Sequence, residues 1–187
     1  MTYGDKKYKI VKKKLKGMVI KMKKTLIVVD MQNDFIDMAL GTAEARAIVP
    51  RVKAKIEEYA KNGDEIIFTR DTHGENYLET PEGKKLHVPH CIKGTKGWEI
   101  ADGLYTEGST VIDKPNFGYK SWDKFEFESV EIIGLCTDIC VVSNAIIIKT
   151  MFPDAEVKVC ADCCAGVTVQ THSAALETMK MCQIDII

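Results

Sequence analysis

Residues 131–149, EIIGLCTDICVVSNAIIIK, decide how the chain is read. Ile132 and Ile133 give a short apolar strand, Gly134 interrupts it, and a run of helical length follows over Asp138 to Thr150, with Cys140 close to its expected start. A thiol there would feel the unpaired N–H groups and positive end of the helix, which favour thiolate and lower its pKa. Backbone amides of the same turn could receive a developing oxyanion. The plainer reading makes Cys140 a small buried hydrophobe, a common fate for a free cysteine. The flanking sequence has to choose between them.

Upstream, Thr25 to Val29 (TLIVV) is a continuous apolar, β-branched run of the kind found in central parallel strands buried on both faces. It ends at Asp30, on the edge where open α/β sheets bind ligands. Met31 to Leu40 reads as loop. Glu44 to Lys61 places Ile48, Val52, Ile56 and Tyr59 at helical spacing and stops at Asn62-Gly63. Glu65 to Arg70 is a second strand, followed by Asp71 and, two residues on, His73. Side chains at i and i+2 of an extended segment point the same way, so Asp71 and His73 can reach a common point.

Residues Gly74 to Gly97 lack periodicity and contain His87, Pro89, His90 and Cys91, candidate ligands in a long loop. Ser109 to Asp113 is a third strand with Lys114 at its end, and Val130 to Ile133 a fourth. Glu156 to Cys160, a helix over Thr171 to Lys180, and a sixth strand over Gln183 to Ile187 complete the pattern. Alternating strands and helices predict a single-domain, three-layer αβα sandwich around a six-stranded parallel sheet, Rossmann-like in outline.

The 187 residues suit one domain, and a formal charge of −1 gives no electrostatic case for nucleic acid. Residues 1–23 are a lysine-rich extension, expected to be flexible or loosely docked, and Met22-Lys23-Lys24 has the look of a translation start. Its basic amphipathic character raises a membrane surface or an acidic partner as the less favoured reading; no apolar core follows the charges, so neither a signal peptide nor a membrane span is expected. Seven cysteines, an odd number without a secretion signal, point to reduced thiols and a cytoplasmic setting. Cys160-x-x-Cys163 has the spacing of a redox or zinc pair, but without a second pair it reads as structural.

Three chemically active groups therefore fall on one sheet edge: Asp30, Lys114 and Cys140. Together they supply a nucleophile, a carboxylate able to take its proton and a cation to hold the ionised pair. The strings VVDMQNDF (Val28 to Phe35), TRDTH (Thr69 to His73), VPHCIKGTKGWE (Val88 to Glu99), DKPNFG (Asp113 to Gly118) and GLCTDICV (Gly134 to Val141) resemble the isochorismatase-like cysteine hydrolases, and among them the nicotinamidases and related amidases. The resemblance spans Lys24 to Ile187.

That resemblance implies an Asp30, Lys114 and Cys140 catalytic triad and an oxyanion hole from the backbone N–H groups of Cys136 and Cys140. It further implies a cis Leu135–Cys136 peptide and Phe35 as one aromatic wall for substrate. It also implies one divalent metal ion (Zn, Fe or Mn) on Asp71, His73 and His90, with Glu82 or His87 as an added ligand. One position departs from the pattern: His87 stands where many nicotinamidases carry an aromatic residue, often Trp.

The expected activity is metal-dependent hydrolysis of a small amide, nicotinamide first. Another small amide or carbamoyl compound, or a non-catalytic metal- or ligand-binding member of the fold, are the alternatives. The D-x-H…H set argues against vinyl-ether cleavage, and no G-x-G-x-x-G follows the first strand to support a dinucleotide. The resemblance also implies a homo-oligomer.

Overall fold

The computed structural model describes residues 24–187; the basic extension lies outside the described residues. The chain runs β1 (Lys24–Val29), α1 (Asn33–Ile36), α2 (Ala43–Asn62), β2 (Glu65–Asp71), β3 (Thr110–Lys114) and β4 (Ser129–Leu135), then α3 (Val142–Met151), β5 (Glu156–Ala165), α4 (Val169–Met181) and β6 (Asp185–Ile186). All strand pairs are parallel, in the order β3-β2-β1-β4-β5-β6. The chain steps outward from β1 in both directions, so the end of β1 lies at the switch point where such sheets form a crevice.

Period-two alternation assigns the two faces. Leu26 and Val28 of β1 pack with Ile48, Val52, Ile56 and Tyr59 of α2, whereas Ile27 and Val29 pack with Ala145 and Ile148 of α3 and Met179 of α4. Helix α2 begins with Thr42 accepting from Ala45 N–H and ends at Gly63 in the left-handed region. Helix α4 opens with a reciprocal pair of side-chain caps between Thr168 and Thr171.

Three local features differ from the sequence expectation. Strand β5, expected over Glu156 to Cys160, runs on to Ala165. Asn33–Ile36 is a helical turn rather than loop. The segment before α3 is a wide turn with π-type geometry over Thr137–Val141, so Cys140 sits inside that turn instead of at an α-helix N-terminus. Gly134 explains how β4 enters it: φ is +116°, and a Cβ there would lie 2.1 Å from the Val29 carbonyl oxygen, beside the end of β1.

Candidate active site

Asp30 is fully buried and holds a positive φ of 48° at the end of β1. Thr69 of β2 donates its hydroxyl to Asp30 Oδ1 at 2.7 Å, and Lys114 Nζ, at the end of β3, lies 2.7 Å from Oδ2. The same ammonium, also fully buried, donates to Cys140 Sγ at 3.4 Å. Three residues separated by up to 110 positions thus converge at one sheet edge, as their strand-end placement implied.

Burial, only partly offset by Lys114, pushes the Asp30 carboxyl above the ordinary range, which makes it a better proton acceptor. Lys114 is held firmly protonated: burial opposes its charge, but Asp30, Cys140 and Asp71 outweigh that cost. Cys140 departs from the sequence expectation. Burial together with the Asp30 and Asp71 carboxylates pushes its thiol well above the usual range, against Lys114, so the resting group is a thiol. A nucleophile here must be made by moving its proton, not by the turn's dipole alone.

The second cluster adjoins the first. His73 Nε2 lies 2.8 Å from Asp71 Oδ2, His90 Nε2 lies 3.6 Å from the same oxygen, and Glu82 Oε1 stands 3.8 Å from His73 Nε2 and 3.7 Å from His90 Nε2. One donor atom from each of the four residues falls within 4.8 Å of every other. His90 Nδ1 lies 2.8 Å from the Val88 carbonyl, a contact that places the proton on Nδ1 and turns the Nε2 lone pair toward the cluster. Two imidazoles and two carboxylates sharing a centre, with the tautomer fixed from behind, fit a divalent ion.

Burial works against ionised Asp71, yet the adjacent His73 and His90 and the nearby Lys114 hold its carboxyl below the usual range. Glu82 joins the cluster from the loop. His87 does not: it is exposed and lies outside both the donor group and the cavity.

Above both clusters opens a cavity of about 520 Å³. Asp71, His73, Glu82 and His90 line one side, Cys136 and Cys140 another, and Phe35, Leu40, Leu86, Phe117 and Ile139 supply apolar walls. Phe35 also packs its ring 5.5 Å from that of His90. The volume and the few converging polar groups suit a small ligand. The Leu135–Cys136 peptide is cis.

Several supporting residues escaped the sequence reading. Gln32 donates to the Asp71 and Trp98 carbonyls at 2.9 and 2.8 Å and accepts from Asp71 N–H at 2.7 Å. Asn33 donates to Lys96 O at 2.8 Å, and Asp34 accepts from Cys91 N–H at 2.7 Å. These side chains take the place of secondary structure in fixing the loop that carries His90. Gly97 permits the approach, since a Cβ there would lie 2.1 Å from the Asp34 carboxylate.

Asn144, fully buried, uses its whole amide: Oδ1 accepts from Tyr119 N–H and Trp122 Nε1 at 2.9 and 3.0 Å, and Nδ2 donates to the Phe117 and Cys140 carbonyls at 3.1 and 2.8 Å. It ties the Phe117 wall to the Cys140 turn. An amide set within an apolar helical run was the available signal.

The model of the isochorismatase domain family matches residues 24–187. The nicotinamidase/pyrazinamidase of Mycobacterium tuberculosis is 25% identical over 88% of this chain and 98% of its own length. A crystal structure of the Pyrococcus horikoshii pyrazinamidase in complex with zinc superposes with a TM-score of 0.75 at 29% identity, covering 88% of this chain and 98% of that one. The pyrazinamidase/nicotinamidase of Streptococcus mutans gives a TM-score of 0.78 at 27% identity, over 88% and 100% of the two chains.

Proposed function

The chain belongs to the isochorismatase domain family, and from that premise we propose that it is a metal-dependent amidohydrolase that cleaves nicotinamide to nicotinate and ammonia. The observation that carries the reading is the continuous contact Asp30–Lys114–Cys140, whose Cys140 end lines the cavity beside the four-donor cluster. The named relatives support an amide as the substrate class.

Asp30, with its raised proton affinity, accepts the Cys140 proton, and the thiolate attacks the amide carbonyl carbon. Lys114 stays charged and holds the transient Asp30 and Cys140 pair in place. Backbone N–H groups of Cys136 and Cys140 receive the oxyanion. The tetrahedral centre collapses, Asp30 returns its proton to the departing nitrogen, and ammonia leaves a thioester on Cys140. Asp30 then takes a proton from water, whose oxygen attacks the thioester and releases the carboxylic acid and the thiol.

Asp71, His73, Glu82 and His90 would hold a divalent ion, which would supply Lewis acidity toward a heteroatom of the bound substrate. Phe35 and Phe117 present apolar faces to its ring.

His87 supports a second substrate reading. Its exposed position leaves the cavity without an aromatic wall from that point in the chain, with Leu86 lining it instead. A small non-aromatic amide or carbamoyl compound would meet less selection there. Ammonia release from purified protein with nicotinamide and a panel of aliphatic amides and carbamoyl compounds separates the two: fastest turnover of nicotinamide supports the first, and no turnover of nicotinamide beside turnover of another compound supports the second.

A further inference from the structure

Strand β5 contains a pair of thiols that the hydrolytic chemistry does not use. While β4 advances two residues from Ile132 to Gly134, its partner advances five, from Val159 to Cys164. Three residues of β5 are therefore extra, and the strand bulges away from β4 there. The faces register this: Cys160 and Cys163 both meet the α2 side of the core, although an odd separation in a regular strand would put them on opposite faces. Cys164 faces the other side, against α3 and α4.

The bulge thus sets Cys160 and Cys163, three residues apart in the chain, on one side of the sheet against the same core cluster. Cys163 is buried and Cys160 partly buried. Lys55 and Glu131, themselves ion-paired at 3.2 Å, are the charges that face Cys160. Hydrogen bonding from Cys163, aided by Lys55 and opposed by burial and Glu131, draws the Cys160 thiol down to about 7, while Cys163 is pushed up. This is the asymmetry of an attacking thiol beside a resolving one.

We propose that Cys160 and Cys163 form a thiol–disulfide exchange site, separate from the amide-hydrolysing centre, that takes a low-molecular-weight disulfide as its oxidant. Cys160 thiolate attacks one sulfur of the external disulfide; a bond to Cys160 forms, the external S–S bond breaks and one thiolate leaves. Cys163, losing its proton to solvent, attacks the Cys160 sulfur, forms the Cys160–Cys163 bond and expels the second thiolate. Two protein thiols are oxidised by two electrons, and one external disulfide becomes two thiols.

The test incubates the reduced full chain with oxidised glutathione near neutral pH and quenches it with acid. The tryptic peptide of residues 159–180, which carries Cys160, Cys163 and Cys164, is then read by mass spectrometry. The expected wild-type product is that peptide short of two hydrogens, with fragmentation placing the bond between Cys160 and Cys163. Cys163→Ser is expected to stop with one glutathione on Cys160, and Cys160→Ser to lose the fast reaction by at least tenfold. A peptide that stays reduced, a persistent glutathione adduct on the wild type, or a bond made through Cys164 would overturn the proposal. Fragmentation of the wild-type peptide decides among these even where a variant does not fold.

Discussion

The Asp71 carboxylate stands 3.6 Å from the Lys114 ammonium through Oδ1, while its Oδ2 faces His73 at 2.8 Å. One side chain thus belongs to both clusters, and the Cys140 group and the metal-donor group share their electrostatics. A change at Asp71 should be felt in metal affinity and in turnover alike.

Acid unfolding offers a direct check on Asp71. Its carboxyl is held below the ordinary range in the folded chain, so its stabilisation is complete above the unfolded value of about 3.9 and is lost as pH falls through the lower folded value. In metal-free protein, urea midpoints between about pH 5 and pH 3 should fall less steeply for Asp71→Asn than for wild type.

Lys114 is buried between Asp30 and Cys140, so Lys114→Met leaves a buried carboxylate without its cation. The expected cost is about 3–5 kcal/mol by urea unfolding, with turnover lost as well. Asp30→Asn/Lys114→Met should recover part of that stability and none of the activity.

His90 should govern metal binding without being needed for the fold. Wild type is expected to gain about 2.7 kcal/mol at zinc concentrations a hundredfold above Kd, read as a rise in Tm, and His90→Ala to lose most of that gain. Chelation should abolish turnover of nicotinamide, and added divalent metal restore it.

Asn144 touches no part of the cavity, yet it fixes both the Cys140 turn and the Phe117 loop. Asn144→Ala should cost about 3 kcal/mol through partners left unsatisfied in the interior. Its remaining activity should show a lowered kcat, measured below the new Tm, because the nucleophile's turn loses its anchor.

Sequence pattern carried the sheet and its reactive edge because those signals are local. TLIVV before Asp30, STVID before Lys114 and the strand–glycine–helix run around Cys140 each report a strand end by composition alone. The π-type turn at Thr137–Val141, the four-way bonding of Asn144 and the three-residue bulge of β5 were not legible, since each is set by partners distant in the chain. The depressed thiol pKa expected from the turn's dipole failed for the same reason: burial and two carboxylates brought in from β1 and β2 outweigh it. Glu82 was legible only as an acid ahead of His90, and its loop had to fold before it met both histidines.

The most direct measurement is the rate of ammonia release from nicotinamide by metal-loaded Cys140→Ala beside wild type, with circular dichroism showing both folded. Loss of the nucleophile is expected to lower the rate by at least about a thousandfold. A variant that keeps a rate within tenfold of wild type would contradict attack by the Cys140 sulfur.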